Sequence, residues 1–131
     1  MWPSKGDLIH TIMLKKHFVS YKYAMRGLWL AVRYEPNMII HLIAIITVLI
    51  LNTSLKVSRT DWIISLVLIG VILMAEIFNT ALEKLADRVT RDQDPMIGQA
   101  KDLASGAVLI MGIAAVICAA ILYWPYAFTK Q

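Results

Sequence analysis

Glu76, Asn79, Thr80, Glu83 and Asp87 recur at spacings of three and four inside one long stretch, Asp61 to Val89, whose first half is almost purely apolar. At about 100° per residue, all of them stay within roughly 60° of Glu76 on a helix and form one stripe. Charge inside a membrane segment is costly and marks a functional site by default. Polar side chains also hold membrane helices together, but packing alone rarely asks for carboxylates repeated along one line. Glu35, Lys101 and Asp102 can converge with the stripe, giving a set rich in hard oxygen ligands with a single point cation. Such a set suits Mg²⁺ and phosphate better than zinc or redox chemistry. Phosphoryl transfer needs a metal to neutralise phosphate charge, a cation on the transferring group and a carboxylate to accept the attacking hydroxyl's proton. Candidates for each are present. An ion or proton pathway lined by acids fits the same residues. The glycine-rich P-loop and the protein kinase signatures are missing, so any kinase here is built differently.

The elements that must position these groups are membrane helices. The chain has 131 residues, 59% hydrophobic and 17% charged, with mean hydropathy +0.65. That is the composition of a single integral membrane domain, residues 1–131. Spans are expected at about 38–55, 62–85 and 103–124, the first interrupted by His41 and closed early by Asn52, Thr53 and Ser54. A rise of about 1.5 Å per residue puts Glu76 roughly 21 Å and Glu83 roughly 31 Å below Trp62, against a hydrocarbon core of about 30 Å. The stripe therefore runs from one leaflet into its interface. Lys5, Lys15, Lys16, Lys22, Arg26 and Arg33 precede the first span, and Lys84, Arg88, Arg91 and Lys101 lie between the second and third. Only Lys56, Arg59 and Lys130 stand on the other side. The positive-inside rule then places the N-terminus and the open end of the stripe in the cytoplasm.

Ahead of the first span, residues of about 17–34 read as an amphipathic surface helix. Phe18, Tyr21, Met25, Leu28, Trp29 and Val32 share one face, and Lys22, Arg26 and Arg33 flank it. A helix packed on the bundle fits that pattern equally well. The net charge of +4 reflects topology and contact with anionic lipid, and no nucleic-acid recognition motif accompanies it. Cys118 is the sole cysteine, which excludes a disulfide within the chain. His10, His17 and His41 are too scattered for a zinc site.

Two segments carry a family resemblance. Glu76-Ile-Phe-Asn79-Thr80-Ala81-Leu82-Glu83-Lys-Leu-Ala-Asp87, followed by Ala100-Lys101-Asp102-Leu103-Ala-Ser-Gly106-Ala107-Val108-Leu109, resembles the signature of the prokaryotic diacylglycerol kinase and undecaprenol kinase family. Tyr23-Ala24-Met25-Arg26-Gly27-Leu28 and Glu35-Pro-Asn37 resemble its N-terminal part. The resemblance implies an all-α membrane protein, three spans and a surface helix per subunit, assembled as a homotrimer with active sites shared between neighbours. It implies transfer of the ATP γ-phosphate to the hydroxyl of a lipid alcohol at the prokaryotic inner membrane. By the same resemblance Glu76 is the catalytic base, Glu35 and Glu83 bind Mg²⁺, and Asn79, Thr80 and Asp87 support the reacting centre. Lys101, Asp102, Tyr23, Lys16 and Asp92 are the implied nucleotide contacts.

The chain departs from the family in the loop Arg91-Asp92-Gln93-Asp94-Pro95, where many relatives carry an acid, an aromatic and a histidine. Asp92 can stand in for the acid, but Asp94 replaces the histidine. Ser105-Gly106-Ala107-Val108 and the Glu-Pro-Asn pattern lean toward undecaprenol over diacylglycerol as the lipid. Oligomerisation is also expected on physical grounds. Three spans alone should not surround a polar stripe, and Ala100, Ala104, Ala107, Gly112, Ala115 and Ala119 permit close helix approach.

Overall fold

A computed structural model describes the backbone of residues 5–90 and 94–128, with side chains described for Met13 and from Lys15 onward within those ranges. The described residues form helices α1 (Lys5–Tyr34), α2 (Pro36–Ser54), α3 (Arg59–Val89) and α4 (Pro95–Phe128), with no strand among them. Two compact units result, the first ending at Glu35 and the second opening at Pro36. The boundary follows from proline chemistry. Pro36 suits the first turn of a helix, where a missing N–H costs nothing, and disfavours helical geometry at the residue before it. Glu35 is accordingly the sole non-helical residue between α1 and α2, its N–H still donating to the Ala31 carbonyl at 3.1 Å.

α2, α3 and α4 are each long and apolar enough to cross a membrane. α3 packs mainly on α4 and more lightly on α2. Their 19, 31 and 34 residues correspond to about 29, 47 and 51 Å of helix. α3 and α4 thus run well beyond the expected spans. Hydropathy reads the bilayer crossing, whereas a helix stops only at a local signal. At α4 that signal is Asp94-Pro95: Asp94 Oδ1 accepts the N–H groups of Met96 at 2.8 Å and Ile97 at 3.1 Å, a side-chain cap ahead of a proline in the first turn. The surface helix likewise begins at Lys5 rather than near residue 17, since nothing between Gly6 and Phe18 breaks it.

Between α2 and α3 the chain reverses in a tight helix-ending turn. Val57 N–H donates to the Asn52 carbonyl at 3.2 Å and Lys56 N–H to Thr53 at 3.3 Å, with Lys56 at φ 49°. This double bond pattern satisfies helix-end carbonyls, and its left-handed position usually falls to glycine. Ser58 then caps α3, its Oγ accepting the Asp61 N–H at 3.2 Å and donating to Asp61 Oδ2 at 2.8 Å. Tyr126, near the end of α4, donates its hydroxyl to Asp61 Oδ2 at 2.6 Å and accepts the Ser58 N–H at 2.9 Å. A turn deeper, Tyr123 donates to the carboxamide oxygen of fully buried Asn52 at 2.7 Å. This end of the bundle is locked by short hydrogen bonds. Much of the remaining α2–α4 surface is apolar and outward-facing, including Ile43, Ile46, Leu109, Val116 and Ile121, as a lipid-facing or subunit-facing surface must be.

Candidate active site

The stripe on α3 is graded in depth. Glu76 is 2% exposed, Asn79 and Thr80 are buried, Glu83 is half-buried and Asp87 is 66% exposed. Over about 16 Å of helix the line therefore passes from an enclosed carboxylate to an open one. Each level ties to a different neighbour. Glu76 Oε2 faces His41 Nε2 of α2 at 3.8 Å. The Asn79 carboxamide donates to Glu83 Oε1 at 3.3 Å, one helical turn on, and its oxygen lies 3.5 Å from Ser105 Oγ of α4. At the open end Asp87 Oδ1 accepts from Lys101 Nζ of α4 at 2.9 Å. Asp102, the next residue, is exposed.

The second unit thus brings Glu76, Asn79, Thr80, Glu83, Asp87 and Lys101 together. His41 and Ser105 complete the arrangement and were not among the residues expected there. His41 had a signal in the sequence, a polar side chain interrupting a span, yet only tertiary packing sets it opposite Glu76. Within one chain the stripe is enclosed only as far as Thr80, and beyond it Glu83 and Asp87 stay partly or largely open. The first unit carries the remaining candidates. Lys16 and Tyr23, seven residues apart and so on one face of α1, are both exposed, and Glu35 closes that unit. Asp92 lies outside the described residues. Asp94, at the position where the family resemblance leads one to expect a histidine, serves as the cap of α4.

Among the described residues no group of three or more His, Cys, Asp or Glu side chains converges as a metal cage. Mg²⁺ asks for less, because it keeps several waters and takes one or two carboxylates together with substrate phosphates. Glu83 fits it, a part-buried carboxylate of hard oxygens oriented by the Asn79 carboxamide on the stripe between the buried Glu76 and the open end. Beside the stripe, an apolar cavity of about 210 Å³ opens between α2, α3 and α4, lined by Ile45, Leu68, Ile72, Ala115 and Ala119, with His41 on its wall. Along α3 its lining runs from Ser65 to Leu73 and stops one turn short of Glu76. A buried carboxylate one turn beyond an apolar cavity, with a lysine and further carboxylates opening to the surface on its other side, can serve an apolar substrate and a water-soluble one at once.

The family model described as prokaryotic diacylglycerol kinase matches residues 22–123, a stretch that holds Tyr23, Glu35, the whole stripe and Lys101 and leaves out Lys16. An undecaprenol kinase of Bacillus subtilis (strain 168) is 34% identical over 116 residues, covering 88% of this chain and 94% of that protein. A diacylglycerol kinase of Escherichia coli (strain K12) is 31% identical over 84 residues, covering 64% of this chain and 69% of the relative. A diacylglycerol kinase of Synechocystis (strain ATCC 27184 / PCC 6803 / Kazusa) is 32% identical over 108 residues, 82% of this chain and 62% of its own length. The chain belongs to the prokaryotic diacylglycerol kinase family and is a multi-pass membrane lipid kinase, which sets aside the transporter alternative.

Proposed function

We propose that this chain transfers the γ-phosphoryl group of ATP to the hydroxyl of a membrane lipid alcohol at the cytoplasmic face of a prokaryotic inner membrane. It would act as a homo-oligomer, a trimer as the family resemblance implies. The observation that carries this reading is the position of Glu76, a buried carboxylate one turn beyond the lining of an apolar cavity and at the closed end of an acidic stripe. Glu76 takes the proton of the lipid hydroxyl as its oxygen attacks the γ-phosphorus. The new O–P bond forms, the bond to the bridging oxygen breaks, and ADP leaves. Lys101 meets the phosphates. Its ammonium has three donors, so the contact to Asp87 and one to a phosphate oxygen are compatible. Asn79 orients Glu83 through its carboxamide. Glu83 and Glu35 would hold Mg²⁺, which when bound neutralises phosphate charge. Asp102, Tyr23 and Lys16 are the remaining proposed nucleotide contacts.

Undecaprenol is the lipid we favour. The Ser105-Gly106-Ala107-Val108 and Glu35-Pro-Asn37 segments lean that way, and the undecaprenol kinase relative is matched over 94% of its length. Discrimination of about 1–3 kcal/mol per methylene-sized contact leaves room for overlap between the two alcohols. The test is a side-by-side phosphorylation assay of purified protein on undecaprenol and diacylglycerol in one detergent. Higher kcat/KM on undecaprenol is expected. Efficient diacylglycerol turnover with undecaprenol untouched would overturn the choice of lipid, and phosphate reaching neither would overturn the reading itself.

A further inference from the structure

His41 is the partner that the structure gives to the buried Glu76, at 3.8 Å between Nε2 and Oε2, and its own side chain is 22% exposed. A carboxylate this deep is stable in its charged form only beside a cation or hydrogen-bond donors. Lys101 of α4 does not serve that need, since it is held at the open end of the stripe by Asp87, eleven residues along α3 from Glu76. Asn79, the nearest carboxamide on the stripe, turns its N–H toward Glu83. His41 comes from α2, a helix that contributes no other titratable side chain.

We infer that His41 is a positioning residue for Glu76. Its imidazole faces Oε2 at 3.8 Å, and closing that gap to a hydrogen bond when substrate binds would leave Oε1 directed at the lipid hydroxyl. The cavity wall that His41 also forms makes it the point where the apolar and the reacting parts of the site meet. The inference rests on the reading of Glu76 as the base, and the two can fail separately.

The experiment compares His41→Gln, His41→Asn and His41→Met in purified full-length protein, reading kcat and the KM for ATP with undecaprenol and with a short-chain diacylglycerol. Gln retains an N–H donor at nearly the reach of Nε2, Asn retains a shorter one, and Met fills similar space with none. The expected order of kcat is wild type, Gln, Asn, Met, with Met reduced by about tenfold to hundredfold and the KM for ATP unchanged, a loss below that of removing the base itself. In the Glu76→Gln background the same substitutions should leave the residual rate unchanged, because residues acting as a unit are non-additive. Equal kcat in all folded variants, or losses that multiply with Glu76→Gln, would overturn the inference. If Met fails to fold, the Gln and Asn pair decides. A fully active Glu76→Gln enzyme would instead sink the base assignment, whatever the His41 variants do.

Discussion

At the turn end of the α2–α4 bundle the Tyr126 hydroxyl bonds Asp61 at 2.6 Å and Ser58 at 2.9 Å, and Tyr123 bonds Asn52 at 2.7 Å. At the stripe end the contacts of Glu76, Asn79 and Glu83 stretch to 3.8, 3.5 and 3.3 Å, and the pair at its open rim, Lys101 with Asp87, is short at 2.9 Å. Both ends are polar, both join α3 to its neighbours, and both lie at the margins of an otherwise apolar bundle. They differ in what their groups are. The turn end joins hydroxyls and a carboxamide to one half-buried carboxylate by short bonds that contribute to stability, and it still leaves the buried Asn52 Nδ2 without a partner among the described residues. The stripe end repeats carboxylates along one line and places one of them, Glu76, out of water opposite a histidine. Neither polarity nor an unfilled hydrogen bond marks the site; a buried ionisable group in line with further carboxylates and a lysine does.

The contrast breaks first at Glu76. Glu76→Gln keeps size and most hydrogen-bonding ability but cannot accept the proton, so turnover should fall by at least about 10²-fold with ATP binding and folding retained. Kinetics on the purified variant check this, and a near-normal kcat would remove Glu76 from its role. Next comes Glu83, whose oxygens are proposed for Mg²⁺. Glu83→Gln should raise the Mg²⁺ concentration needed for half-maximal rate by about tenfold, since outer and inner ligand losses commonly cost that much in metal affinity. A metal titration identical to wild type, in this variant and in Glu35→Gln alike, would end the metal assignment. The smallest effect on turnover belongs to the turn end. Tyr126→Phe deletes one bond to a carboxylate and one from a backbone N–H, a cost of about 1–3 kcal/mol in stability, with kcat per folded molecule unchanged.

Much of this molecule can be read from its residues, and the unread parts share a cause. The spans and the stripe are periodic in one helix, so a 100° wheel finds them without tertiary knowledge. Asp94-Pro95 announces the start of α4 equally plainly, as a side-chain cap followed by a first-turn proline. His41 against Glu76, Ser105 against Asn79 and Asn52 against Tyr123 are pairs from different helices, separated by 35, 26 and 71 residues. No local pattern encodes such meetings. The left-handed turn at Lys56 was hidden for another reason: a lysine gives no hint of a conformation usually left to glycine.

The claim that the two ends divide stability from chemistry is tested most directly by measuring melting temperature and kcat on the same preparations of Glu76→Gln and Tyr126→Phe. The account predicts a crossing: Glu76→Gln melts like wild type and has lost its turnover, while Tyr126→Phe melts lower and turns over normally below its melting point. A Tyr126→Phe enzyme as inactive as Glu76→Gln at full stability, or a Glu76→Gln protein that loses activity only in proportion to lost folding, would contradict it.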